Sequence, residues 1–110
     1  MHWILAHLIG DYLLQDDWMA KGKKESWNIA VAHTLAYMIP FLFVDDINII
    51  KFILIAIQHL VQDRTNFIVW FMKFKGSEEF AQPPMAPWSI IITDNIFHIL
   101  WIAFIMNINI

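Results

Sequence analysis

The stretch HLIGDYLLQ, residues 7–15, combines the hydrophobicity of a membrane helix with three polar side chains on one stripe. His7, Asp11 and Gln15 are spaced four residues apart, and helical side chains at that spacing lie above one another on one face. Polar groups inside hydrocarbon are costly unless they have partners. The stretch therefore predicts a helix that turns this stripe towards polar groups on other helices.

The composition favours a membrane protein over a soluble one. The chain has 110 residues, of which 59 % are hydrophobic and 15 % are charged, whereas about a quarter of an ordinary soluble domain is charged. This length favours one domain. The net charge of -3 and the lack of a basic-aromatic pattern argue against nucleic-acid binding. The absence of cysteine excludes disulfides, thiolate metal sites and cysteine nucleophiles.

Four apolar segments are each near the length of about 20 residues that crosses a bilayer. We place them at Trp3–Ala20, Ser26–Val44, Ile47–Met72 and Ala86–Asn107. The connections read KGKKE (residues 21–25), VDDIN (44–48) and KFKGSEEFAQPPMAP (73–87). Pro40 should kink the second segment or mark its end, and Gly10 predicts close helix packing. The predicted fold is an all-α, four-helix transmembrane bundle.

Lysine placement predicts the orientation of this bundle. The first and third connections contain Lys21, Lys23, Lys24, Lys73 and Lys75, whereas the second contains two aspartates, with only Lys51 nearby. The tryptophans beside the lysine-rich connections are Trp18, Trp27, Trp70 and Trp88, as an interfacial aromatic belt requires. We therefore expect the lysine-rich connections in the cytoplasm and both termini outside.

The remaining segments repeat the polar stripe of the first. Three segments contain a His–Asp pair four residues apart (His7–Asp11, His59–Asp63 and Asp94–His98), and the second contains His33 with Tyr37. The order is reversed in the fourth segment, which runs antiparallel to the first and third. The three aspartates therefore share one depth, and their paired histidines lie about one turn, ~5.4 Å, further out. The seven His and Asp side chains should converge in the bundle interior.

A set of four histidines and three aspartates suits a transition metal, with Zn or Mn favoured. Seven ligands exceed one tetrahedral site and would fill a dinuclear centre, in which a free aspartate (Asp11, Asp63 or Asp94) or a free histidine could act as general base. Four further residues flank this layer and could orient ligands or bind an anionic group: Gln15, Tyr37, Arg64 and Asn95. Arg64 could equally pair with a neighbouring aspartate. Alternatively, the polar layer only holds the helices together.

The same residues carry a resemblance to a known family. HLIGDYLLQDDWMAKGKK (7–24), AVAHTLAY (30–37), QHLVQDRT (58–65) and TDNIFHIL (93–100) resemble the small multi-pass bacterial and phage membrane proteins catalogued as domain of unknown function 3307. The family commonly has Asp-Gln where this chain has Asp94-Asn95. The resemblance implies a multi-pass protein of the bacterial inner membrane. It also supports the His/Asp positions, but it does not indicate a reaction.

The leading functional hypothesis is a metal-dependent hydrolase acting on a lipid-borne or amphiphilic substrate that arrives from the cytoplasmic leaflet. A proton or metal-ion conduit is the alternative from another class, since a His/Asp ladder can also relay ions. A structural or regulatory membrane protein is the third. An enzyme requires a side entrance to the metal, whereas a conduit requires polar groups that continue to both faces. The sequence is compatible with a homo-oligomer but does not specify the number of subunits.

Overall fold

The computed structural model describes residues 1–110 as an all-α protein without strands. Its α-helices are α1 (Trp3–Leu8), α2 (Asp17–Gly22), α3 (Trp27–Met38), α4 (Ile49–Arg64), α5 (Phe67–Phe74) and α6 (Trp88–Asn107). A π-helical turn, Ile9–Leu13, continues α1, and short 3₁₀ helices form at Pro40–Phe43 and Glu79–Ala81. The all-α prediction is therefore confirmed.

Two of the four predicted segments are interrupted. The first breaks between Leu13 and Asp17, because the Asp16 carboxylate accepts a hydrogen bond from the Met19 backbone N–H (2.8 Å) and starts α2 as a new helix. The third breaks between α4 and α5, where the Thr65 backbone is extended. The Lys24 ammonium donates to three backbone carbonyls at this break, which a continuing helix would bond internally.

The second and fourth segments agree better with the predicted ranges. Helix α3 ends at Met38, and the Pro40–Phe43 turn follows it, as the missing N–H of Pro40 predicts. Helix α6 has 20 residues and is the one helix that is long and apolar enough to cross a membrane. By length and composition, the structure therefore supports one membrane-spanning helix and does not establish the predicted four.

Contacts between distant residues place the connections at two opposite ends of the molecule. At one end, the Met1 ammonium lies 3.0 Å from the Asp45 carboxylate, and the Asn48 side-chain amide donates to the carbonyl of Ile110 (2.8 Å). At the other end, the Arg64 guanidinium donates to the carbonyl of Lys24 (2.7 Å). Both termini thus share an end with the 44–48 connection, and the 21–25 connection meets the α4–α5 break.

The helices bury polar side chains and expose apolar ones. Only 24 of the 110 residues are buried, and all four histidines of the predicted cluster are among them. On α4, for example, His59 and Asp63 face inwards while Ile53, Ile57 and Val61 face outwards. An apolar core covers the cluster on the side of the termini, comprising Ala6, Tyr37, Met38, Phe41, Val44, Ile55, Ile102 and Ile105.

Candidate metal centre

The structure brings the histidine and aspartate side chains of the four predicted segments into one interior cluster. Six of its members are buried, namely His7, Asp11, His33, His59, Asp63 and His98. Asp94 is partly buried, with 20 % of its side chain exposed. The π-helical turn supplies Asp11, and α3, α4 and α6 supply five of the others. These helices therefore turn their polar side chains towards the interior.

Four ligand atoms form the tightest group within this cluster. His33 Nε2 lies 3.1 Å from Asp11 Oδ1 and 3.1 Å from Asp63 Oδ2. His59 Nε2 lies 2.9 Å from Asp63 Oδ2 and 3.8 Å from Asp11 Oδ1. A tetrahedral zinc ion with bonds of 2.0–2.2 Å separates its ligand atoms by about 3.3–3.6 Å. Three of the observed separations are slightly shorter than that range and one is slightly longer, and all four ligand atoms lie within 4.8 Å of one another. These two imidazoles and two carboxylates could therefore hold one ion.

A second group lies beside the first and shares Asp11 with it. Ligand atoms of Asp11, Asp94 and His98 also lie within 4.8 Å of one another. His98 Nε2 is 3.4 Å from Asp94 Oδ2 and 3.2 Å from Asp63 Oδ1, so the two oxygens of Asp63 face different groups. Asp11 and Asp63 each face both groups, so the arrangement leaves room for two neighbouring ions.

His7 lies apart from both groups. Its Nδ1 atom is 2.7 Å from the Tyr37 hydroxyl, and its Nε2 atom bonds the Asn95 side-chain oxygen. The His59–Asp63 and Asp94–His98 pairs each make a direct contact, but the His7–Asp11 pair does not. The wider π-helical turn at Ile9–Leu13 is the reason, because it rotates Asp11 towards His33 instead.

The four predicted flanking residues have different environments. The Tyr37 ring stacks on His59 at a centroid distance of 3.6 Å and fixes its orientation, and Asn95 holds His7. Gln15 lines a cleft next to Asp11, and its side-chain oxygen has no hydrogen-bond partner. Arg64 makes no ion pair with a carboxylate; its guanidinium lies 5.1 Å from the Trp27 ring centroid.

Gly10 permits the approach that positions Tyr37. A Cβ atom at this residue would lie 2.7 Å from Tyr37 Cδ2 and 2.7 Å from the Tyr37 carbonyl oxygen. Such distances are shorter than van der Waals contact, so a larger residue would push α3 away from the π-helical turn. The predicted packing role of Gly10 is confirmed.

Sequence reasoning missed several polar residues of the site. The sequence predicts for Lys23 only a place in the 21–25 connection, yet its ammonium lies 3.3 Å from Asp63 Oδ2 with 16 % of the side chain exposed. Burial lowers the pKa of Lys23, but attraction by Asp63 and two further aspartates outweighs burial and holds that pKa above its usual value. Nothing in KGKKE distinguishes Lys23 from its neighbours, so only the fold reveals it.

Two glutamines of α4 were also not identified from the sequence as residues of the site. Gln62 Nε2 donates to the backbone carbonyl and to the carboxylate of Asp94, both at 2.9 Å, and Gln58 lies 3.3 Å from His98 Nδ1. Both amides orient residues of the second group. Their positions within an apolar helix were the available signal, since a polar residue there usually has a partner on another helix.

A cleft of about 330 Å³ reaches the cluster from the end of the molecule where the 21–25 connection lies. Asp11, Asp94 and Lys23 line its polar side, while its apolar side includes Val69 and Ile91. The cleft therefore offers a route by which a molecule with polar and apolar parts can reach the carboxylates.

The family model described as protein of unknown function (DUF3307) matches residues 1–110. The chain therefore belongs to this family, as its four motifs indicated. Neither the curated proteins nor the solved structures include a match.

Proposed function

We propose that this DUF3307 protein is a multi-pass membrane hydrolase, in which the Asp11/His33/His59/Asp63 group binds a divalent transition metal next to a substrate cleft. The substrate would be lipid-borne or amphiphilic. The observation that carries the proposal is the convergence of four buried ligand atoms on one point beside an open cleft.

The hydrogen bonding of the cluster supports a ligand role over a packing role. Buried polar groups are almost always hydrogen-bonded. Yet His59 Nε2 and Asp63 Oδ2 lie 2.9 Å apart without hydrogen-bond geometry, although both atoms are buried. A polar layer that only held the helices together would align this pair, whereas a metal ion would use a lone pair of each atom. The donor set of imidazole and carboxylate favours Zn or Mn, and the second group leaves room for a dinuclear centre.

The inverted polarity of the bundle supports a membrane location. Outward-facing apolar residues recur one turn apart on the helices, as Ile92, Ile96, Leu100 and Phe104 do on α6. The four predicted belt tryptophans are between 47 % and 56 % exposed. In water this surface would be a large exposed apolar patch; in a bilayer it faces the lipid. The longest dimension of 40 Å matches a bilayer with its headgroup regions.

The arrangement assigns separate tasks to the residues of the site. A bound divalent ion would lower the pKa of a water molecule to near neutrality. His33 and His59 would hold the ion as neutral imidazoles, and Tyr37 keeps the His59 ring in place by stacking on it. Asp94 lines the cleft and is the most exposed of the three aspartates, so it is the candidate general base that accepts a proton from the attacking water.

A proton or metal-ion conduit is the second candidate, because a ladder of His and Asp groups also suits ion relay. A conduit needs polar groups that continue to both faces. On the side of the termini, the apolar core around Phe41, Ile55 and Ile102 covers the cluster. The polar path thus opens towards one end, which favours the hydrolase.

Metal content per chain tests the proposal. Wild-type protein purified in detergent without chelator should contain at least about one Zn or Mn ion per chain. Asp11→Ala removes one of the four converging ligands and should lower this content, while a monodisperse profile on a sizing column shows that the fold persists. Asp46→Asn, an exposed charge change on the 44–48 connection, is the matched control. Folded wild type that takes up neither metal would rule out the hydrolase and the metal conduit together.

A further inference from the structure

The cleft next to the metal cluster combines positive charge, negative charge and apolar walls. Lys23 and Lys24 line it together with Asp11 and Asp94, and Asp63 lies 3.3 Å from the Lys23 ammonium. Among these five side chains alone, three carboxylates face two ammonium groups. Their charges sum to minus one. A divalent cation in the cluster changes this to plus one, which suits an anionic ligand.

The two lysines differ in their capacity to bind such a ligand. An ammonium group has three N–H donors. Lys24 uses its donors on the backbone carbonyls of Gln62, Asp63 and Thr65, at distances of 2.9–3.3 Å. Lys23 contacts only one carboxylate oxygen, so it retains donors that can point into the cleft. Lys23 is therefore the ligand-binding lysine, and Lys24 stabilises the end of α4.

We propose that the cleft binds the phosphate group of its ligand between Lys23 and the metal cluster, and that binding requires the cation. This inference rests on the metal site of the proposed function. A phosphate group supplies several acceptor oxygens, so it can meet an ammonium and a metal-centred positive charge at the same time. The apolar side of the cleft, which includes Ile68, Val69 and Ile91, suits the hydrocarbon part of a phospholipid.

The position of Lys23 also predicts opposite effects on two ligands. Its ammonium and a metal ion compete for the same Asp63 oxygen, since both are cations beside Oδ2. Lys23→Gln removes the competitor and should leave metal affinity unchanged or raise it. The same substitution removes a charge-assisted hydrogen bond to phosphate, which corresponds to a loss of phosphate affinity of about tenfold or more. A residue with a purely structural role would weaken both.

Calorimetric titration of the full chain in detergent tests this proposal. Inorganic phosphate and dihexanoyl phosphatidic acid are titrated into metal-loaded wild type, chelated wild type, Lys23→Gln and Lys21→Gln. Lys21 is an exposed lysine at the end of α2 and serves as the control. We expect both probes to bind metal-loaded wild type and Lys21→Gln, and to bind at least about tenfold more weakly to the other two samples.

The samples and probes of this titration distinguish failure of the phosphate proposal from failure of the metal site. Tighter binding of the lipid probe than of inorganic phosphate identifies a lipid head group, and equal binding identifies a soluble phosphate ester; both support a phosphate site. Phosphate binding that is unchanged by chelation, or unchanged by Lys23→Gln, overturns the inference while the metal site stands. Wild type that takes up no metal refutes the proposed function itself. The chelation arm needs no variant, so it decides the charge argument even if Lys23→Gln does not fold.

Discussion

Asp63→Asn is the substitution that should affect the cluster most, because Asp63 contacts more of its members than any other residue. Its carboxylate lies within 3.3 Å of ring nitrogens of three histidines (His33, His59 and His98) and of the Lys23 ammonium. Asparagine preserves the size of the side chain and removes its charge. The substitution therefore tests the electrostatic role of Asp63 with little change in packing.

The expected magnitude follows from the proposed ligand role of Asp63. Substitution of residues that merely orient metal ligands commonly costs about 10–100-fold in affinity, so loss of a direct ligand should cost at least about 100-fold. At a metal concentration of about 100 times the wild-type Kd, the ion stabilises wild type by about 2.7 kcal/mol. The same concentration would stabilise Asp63→Asn by only about 0.4 kcal/mol.

Thermal unfolding in detergent with and without added Zn measures this difference. For a chain of this length, 2.7 kcal/mol corresponds to a shift in Tm of roughly 10 °C. We expect that shift for wild type and for the control Asp46→Asn, and almost none for Asp63→Asn. The reasoning is refuted if Asp63→Asn retains the wild-type metal content and the wild-type shift.

Three further outcomes are expected. Gly10→Ala should destabilise the protein by about 1–3 kcal/mol, because the added methyl group overpacks against Tyr37; unfolding in detergent measures this loss, and a stability equal to wild type would contradict the close contact. An impermeant thiol reagent added to whole cells should label a cysteine at Asp46 and not one at Lys21, since the lysine-rich connections are predicted to be cytoplasmic; the chain contains no other cysteine. Metal content should fall as the pH drops through about 6.5, where free imidazole gains a proton, because metal ligands must be deprotonated; full retention near pH 5 would argue against histidine ligands.

The cluster was predictable because the sequence features that indicate it lie within single helices. The spacing of His59 and Asp63 alone puts both side chains on one helix face. The reversed order of Asp94 and His98 then aligns an antiparallel helix with the others. These features depend on helical geometry and chain direction, and the structure places each of the pairs inside the bundle.

The interruption after Arg64 and the role of Lys23 were not predictable for the opposite reason. The break after Arg64 is stabilised by the ammonium of Lys24, a contact between residues about forty positions apart. The π-helical turn that separates His7 from Asp11 likewise packs Gly10 against Tyr37, a residue distant in sequence on another helix. Hydrophobic periodicity reports which face is apolar, but not where a distant side chain binds the backbone.

The two ends of the cluster have different chemistry, and this asymmetry links the fold to the proposed reaction. On the side of the termini, packed residues such as Phe41 and Ile102 exclude water. On the opposite side, the cleft leads to Asp11 and Asp94. Electrostatic interactions are stronger where water is excluded, so the inner wall would strengthen the binding of a cation and the cleft would admit water and the proposed substrate. A hydrolytic site needs both properties together, whereas a structural polar layer needs neither.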